Sequence, residues 1–109
     1  MTVYGLKWGV YKTANGRMPF NEWLSGLKDR KTRAVIRTRL DRVAQGNLGH
    51  YKLLGDGVCE LKISFGPGYR IYFGIHQDLV IILCGGDKSS QKDDIKRAKN
   101  YWKNSLEVL

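Results

Sequence analysis

Residues 58–84 read VCELKISFGPGYRIYFGIHQDLVIILC, and this stretch decides the fold. Its segments rich in β-branched and aromatic residues predict three strands, over 58–65, 69–75 and 79–84. The separators Gly66-Pro67-Gly68 and His76-Gln77-Asp78 are short enough for hairpins, so we expect an antiparallel meander. The last strand is apolar at every position from 79 to 83, which is typical of a strand covered on both faces.

Alternation along the first two of these strands separates an apolar face from a polar one. An odd-numbered loop keeps both apolar faces on the same side of a hairpin, and the three residues Gly66-Pro67-Gly68 meet this condition. This register predicts that Lys62 lies opposite Tyr72 and that Ser64 lies opposite Arg70. All four side chains are then expected on the face away from the core.

The residues on either side of the meander predict helices and one more strand. A strand is expected over 3–11, and Pro19 suits the first turn of a helix that carries an apolar stripe. Asp29 is suited to cap a second helix, which Gly46-Asn47 ends. Ser90 begins a sequence that resembles a capping box and opens a last helix.

The elements follow the order strand, two helices, meander and helix, with four to five strands in total because strand-like periodicity begins at Tyr51. This order predicts an α+β fold in which two N-terminal helices and one C-terminal helix pack on an antiparallel sheet. No repeat, low-complexity tract or linker interrupts the sequence, so we expect residues 1–109 to form a single domain.

The charge balance points to a polyanionic partner. Nineteen Lys and Arg against ten Asp and Glu give a net charge of +9. Such a surface gains sequence-independent affinity for nucleic acid because its phosphate contacts release counterions. An acidic protein would be attracted too, and the charge is alternatively a solubility device. No apolar run reaches the roughly 20 residues of a membrane span and no signal peptide is evident, which predicts a cytoplasmic protein without membrane contact.

The sequence shows no pattern for a metal or a cofactor. Cys59 and Cys84 lack CxxC or Cys/His ligand spacing and are interpreted as small core residues. His50 and His76 have no carboxylate or cysteine at ligand spacing. The phosphate-loop spacing GxxxxGK[ST] is absent from 85–90. We therefore expect neither a metal site nor a cofactor.

Cations are expected to gather on the polar face of the meander. Lys62 and Arg70 share that face with Glu60 and Tyr72, and Lys88 arrives from the end of the last strand. This combination is suited to bind a phosphodiester and to protonate it. The alternative is that these are ordinary exposed residues of a half-buried sheet.

A second basic region runs from Lys28 through the predicted second helix to Arg42 and contains seven basic residues. By helical geometry Arg33 and Arg37 flank the apolar stripe on one side. We take these two arginines, together with Lys52, as candidate RNA-binding residues. A solvated helix face is the alternative interpretation.

Six segments taken together resemble the phage-derived addiction-module killer family, the HigB-like branch of the RelE/ParE superfamily. The segments are FNEWL at 20–24, RL at 39–40, GNLG at 46–49, ELKI at 60–63, GPGYRIYF at 66–73 and GGDKSSQ at 85–91. The likeness covers nearly the whole chain, and GPGYR and GGDKSSQ are its most specific parts.

The resemblance implies the RelE/ParE fold and the toxin of a type II toxin-antitoxin module. Its cognate antitoxin, often a helix-turn-helix protein, binds and silences the toxin, and the complex contacts operator DNA. Many relatives are metal-independent mRNA endoribonucleases that act on the ribosome and inhibit translation. ParE-like relatives instead poison DNA gyrase by binding, which is the alternative function.

The resemblance also implies catalytic roles. In the ribonuclease reaction the 2′-hydroxyl attacks the adjacent phosphorus, so Arg70 is expected to stabilise the transition state. Lys62 and Lys88 are expected to bind phosphate, and one of them to donate the last proton. Where RelE relatives have a C-terminal tyrosine, this sequence has Asp94, so the proton acceptor stays open. The candidates for that acceptor are Glu60, Tyr72 and Tyr101.

Overall fold

The structure, a computed structural model, describes residues 7–108. Its elements are β1 (Lys7–Val10), α1 (Pro19–Gly26), α2 (Arg30–Ala44), β2 (Tyr51–Gly55), β3 (Val58–Ile63), β4 (Tyr69–His76), β5 (Leu79–Gly86), a 3₁₀ turn (Lys88–Ser90) and α3 (Gln91–Glu107). The predicted α+β class and element order are confirmed. The part of the predicted first strand over 3–6 lies outside the described residues. None of the described helices is both long and apolar enough to cross a membrane.

The five strands form one sheet in the order β1-β5-β4-β3-β2. Strands β2 to β5 pair with antiparallel neighbours, whereas β1 runs parallel to β5. The predicted sheet was antiparallel, and the parallel direction of β1 was missed because its partner is distant in sequence and no local turn fixes their relative direction. β5 lies between β1 and β4, in agreement with its continuous apolar sequence.

Helices cover both faces of this sheet. On one face, α1 and α2 enclose a core that includes Ile36, Leu61 and Phe73, all fully buried. On the other face, Trp102 and other residues of α3 pack on Tyr72 and its neighbours. The expectation that the polar face of the meander is open was therefore wrong for its central part. The reason is that α3 has its own apolar side, which must be buried against a sheet.

Trp102 lies directly on the backbone of β4. A Cβ placed at Gly74 would be 2.6 Å from Cζ3 of Trp102, closer than carbon atoms approach without repulsion. Glycine at this position therefore lets α3 lie close to the sheet and sets the height of the helix above it.

Candidate functional site

The connection between β3 and β4 brings two cations side by side. Ile63 pairs with Tyr69, so the loop has five residues, 64–68, rather than the predicted three. The odd length keeps the predicted faces, but Lys62 pairs with Arg70, and Tyr72 with Glu60. The prediction of Tyr72 opposite Lys62 was therefore wrong.

Hydrogen bonds inside this loop explain its length. The amide of Phe65 donates to the carbonyl of Ile63 (2.9 Å) and the amide of Gly68 donates to the carbonyl of Phe65 (3.2 Å). These local bonds occupy groups that a longer strand ladder would need. Gly66 and Gly68 allow the turn because both have positive φ, 58° and 82°.

The end of β5 positions the third cation. β5 continues through Gly86, which pairs with Arg70, whereas the predicted strand ended at residue 84. Asp87 then caps the 3₁₀ turn by accepting a hydrogen bond from the amide of Ser89 (2.8 Å). Hydrogen bonds from Ser89 also hold the pKa of Asp87 below its usual value. Lys88 is thereby fixed at the start of a defined turn, with its side chain exposed.

Lys62, Arg70 and Lys88 line one groove of about 340 Å³. Its other lining residues are Ser64, Phe65, Gly66, Pro67 and Gly68. Both lysines are exposed, whereas Arg70 is only 6% exposed. Arg70 thus forms the base of the groove and the lysines its rim. Three positive charges converge on a space that is open to solvent, an arrangement suited to an anion.

The guanidinium of Arg70 contacts the carbonyl of Gly68 and the carboxylate of Glu60. Its Nη1 donates to the carbonyl of Gly68 (2.6 Å), and its Nε lies 3.8 Å from Oε1 of Glu60. Within the described residues, this buried Nε has no hydrogen-bond partner. A buried donor without a partner is costly, so an acceptor that reaches Nε would be favoured.

Glu60 lies next to the guanidinium of Arg70, outside the groove. It is 6% exposed, does not line the groove, and accepts a hydrogen bond from Nε2 of Gln91 (2.9 Å). Glu60 was expected on an open face with the cations, but α3 covers this part of the sheet and Glu60 does not face the groove. Its place makes it a positioning residue. Gln91 was missed as a site residue, and its only sequence signal is its place at the end of GGDKSSQ.

The tyrosines and Asp94 also lie away from the groove. Tyr72 is fully buried, and burial together with nearby Glu60 and Asp94 raises its pKa. Tyr101 stacks on Tyr11, with ring centroids 4.8 Å apart. Asp94 is buried and accepts hydrogen bonds from Ser90 and Arg97. Neither Tyr72 nor Tyr101 lines the groove, so the structure does not bring these two candidate proton acceptors to the three cations.

Replacing Tyr72 with phenylalanine is expected to stabilise the protein by about 1 kcal/mol, because the buried hydroxyl has no hydrogen-bond partner among the described residues. Urea unfolding measures this change. Tyr51→Phe, at an exposed tyrosine, is the control and is expected to be neutral. Tyr72→Phe should also leave any activity of the groove unchanged. A loss of activity in a stable Tyr72→Phe protein would restore Tyr72 as a catalytic residue.

The structure separates the three candidate RNA-binding residues. Lys52 pairs with Glu60 and is exposed on the α3 side of the sheet. Arg33 and Arg37 lie on α2, across the sheet, where Arg33 donates to the carbonyl of Leu27 and Arg37 lines a different cavity. The structure therefore does not bring Arg33 and Arg37 to the surface that holds the groove. Helical periodicity tells which side of a helix is apolar, but not which face of the sheet it covers.

Comparison with known proteins finds a relative that is similar over most of its length. The chain is 48% identical over 83 residues to an uncharacterized protein of Haemophilus influenzae, and the alignment covers 75% of this chain and 84% of that protein. No protein-family model and no solved structure matches the chain.

Proposed function

We propose that this chain, which belongs to the same family as the uncharacterized Haemophilus influenzae protein, is a cytoplasmic toxin of the RelE/ParE type that cleaves messenger RNA. The observation that carries the proposal is the shared groove of Lys62, Arg70 and Lys88. The likeness of the GPGYR and GGDKSSQ segments to addiction-module killers supports the same class, since these two segments contribute Arg70 and Lys88.

The groove fits the charge that develops at phosphorus. In the proposed reaction the 2′-oxygen bonds to the adjacent phosphorus and the bond to the 5′-oxygen breaks, which leaves a 2′,3′-cyclic phosphate and a 5′-hydroxyl. The phosphorane between them carries additional negative charge on its non-bridging oxygens. Arg70 meets these oxygens with a planar fork whose position is already fixed by Gly68, so little reorganisation is needed.

Lys62 and Lys88 are proposed to bind phosphate and to donate a proton. Both ammonium groups stand at the rim, where one binds a non-bridging oxygen and the other donates a proton to the departing 5′-oxygen. The lining residues include no carboxylate and no imidazole. The proton of the 2′-hydroxyl therefore goes to water or to a group of the ribosome that presents the message. This division of labour supports action on ribosome-bound mRNA.

The same proposal names the partners. A cognate antitoxin, of helix-turn-helix type, neutralises the toxin, and the complex of the two reaches operator DNA. A net charge of +9 favours an acidic segment in that antitoxin. Neither a cofactor nor a membrane takes part.

The double variant Lys62→Gln/Lys88→Gln is expected to cleave messages more slowly than the wild type. Each substitution should contribute about a 10- to 100-fold loss, because a hydrogen bond to a charged group contributes about 1.5–3 kcal/mol. Arg30→Gln/Lys31→Gln removes the same charge from exposed positions of α2 and is the control. Mapping of RNA 5′ ends after induction measures cleavage, and a DNA-damage reporter detects gyrase poisoning. DNA breaks without new RNA ends would reject the nuclease in favour of the gyrase poison.

A further inference from the structure

Four lysines lie along one side of α3: Lys92, Lys96, Lys99 and Lys103. At 3.6 residues per turn they fall within an arc of about 60°, which we call the lysine stripe. Three of them are exposed and Lys99 is half-buried. The stripe lies apart from the buried side of α3, which contains Ala98 and Trp102.

Two contacts of α3 show which part of the sheet it crosses and where the stripe faces. At the start of α3, Gln91 contacts Glu60 of β3. At the middle of α3, Nζ of Lys99 lies 3.6 Å from Oδ2 of Asp56, in the turn between β2 and β3. The stripe therefore faces the β2 edge of the sheet. Lys52 belongs to the same surface, because it pairs with Glu60 and shares its face.

The stripe begins where the groove ends. Lys88 lines the groove and precedes Lys92 by four residues, through a 3₁₀ turn that leads directly into α3. From Lys92 to Lys103 the helix rises about 16 Å. Lys88 and the lysine stripe thus form a continuous row of cations. A single polyanionic strand bound in the groove can extend along this row.

Repulsion among the charges of the lysine stripe destabilises α3 in the isolated protein. Like charges at i, i+3 and i, i+4 each destabilise a helix by about 0.2–0.5 kcal/mol, and the stripe contains three such neighbouring pairs. Within the described residues, its only ion pair joins Lys99 to the exposed Asp56, a contact of little value in water. A bound polyanion would remove the repulsion.

We propose that the lysine stripe binds the phosphates of the RNA that flank the scissile phosphate, so that the strand runs from Lys88 along α3 toward Lys103. This inference rests on the proposed nuclease function. RNA is favoured over an acidic protein because the stripe is continuous with the groove. Lysines bind as flexible point charges, which suits a track that positions the backbone without reading sequence.

The test uses the triple variant Lys92→Gln/Lys96→Gln/Lys103→Gln, which keeps good helix formers at exposed positions. Its matched control, Arg30→Gln/Lys31→Gln/Arg42→Gln, removes three charges from exposed positions of α2, on the other side of the sheet. The probes are a single-stranded RNA of about twelve nucleotides and a trinucleotide, both with a 2′-deoxy sugar at the scissile position to prevent cleavage. Binding is measured at several salt concentrations.

The stripe variant is expected to lose affinity for the long RNA and to keep its affinity for the trinucleotide. The slope of log K against log salt should fall by about 2, since each phosphate contact of a single strand contributes about 0.7. An equal loss in the α2 control would reduce the effect to net charge and overturn the inference. A wild-type protein that cleaves RNA, with an unchanged slope in the stripe variant, overturns only the inference. A wild-type protein that binds neither RNA overturns the inference, and one that cleaves no message in a translating extract overturns the proposed function as well.

Discussion

Arg70→Lys is expected to slow RNA cleavage by about 100- to 1,000-fold while the protein stays folded, the effect seen when one preorganised donor to a developing anion is lost. Lysine keeps the positive charge beside Glu60, but it lacks the planar fork and cannot reproduce the bond of Nη1 to Gly68 together with a contact to phosphate. Cleavage of a defined message in a translating extract measures the rate. Thermal unfolding shows whether the fold is retained.

Arg70→Ala is a poorer test than the lysine variant. Glu60 is buried, so removal of Arg70 leaves a carboxylate without its nearest cation, and breaking a buried pair destabilises a protein by about 3–5 kcal/mol. Glu60→Gln/Arg70→Ala removes both charges and is expected to recover much of that stability without recovering cleavage. Cleavage at the wild-type rate by Arg70→Lys would contradict the role proposed for the guanidinium.

Trp102→Ala is expected to destabilise the protein by about 3–5 kcal/mol, because it removes a nearly buried indole from the core beneath α3. Gly74→Ala should cost about 3 kcal/mol for a different reason, since its methyl group would overlap the same ring. The two losses share one contact and therefore should not add. In the Trp102→Ala background, Gly74→Ala is expected to cost far less, and urea unfolding of the four proteins measures the difference.

Gly26→Ala provides the control for this cycle. It lies at the end of α1, and a Cβ there meets no atom within 4 Å, so the substitution is expected to be neutral or slightly stabilising. Full additivity of Gly74→Ala and Trp102→Ala would mean that the ring does not rest on the glycine.

Local patterns predicted most of the fold. Alternation placed Lys62 and Arg70 on one face of the meander, and turn residues placed its hairpins, because both signals act over a few residues. The predicted register of β3 with β4 was wrong by two residues. The hydrogen bonds inside the loop 64–68 set this register, and the sequence pattern does not show the path of that loop. The parallel β1 was missed because nothing near β1 in sequence specifies a partner that lies beyond two helices.

The candidate site was predictable where it depends on strand geometry, and not where it depends on helix docking. The convergence of Lys62, Arg70 and Lys88 followed from alternation and from the end of β5. The burial of Glu60 and Tyr72 did not, because the apolar side of α3 shows that the helix must be covered without showing what it covers.

The parallel pairing of β1 with β5 has a consequence for synthesis of the chain. Lys7 pairs with Leu79, so β1 must wait for a partner that is translated 72 residues later, the difference between 79 and 7. Contacts so distant in sequence slow folding, and an emerging polypeptide has no completed sheet until β5 has left the ribosome. The groove, whose Lys88 follows β5 in sequence, therefore cannot form until nearly the whole chain has been synthesised.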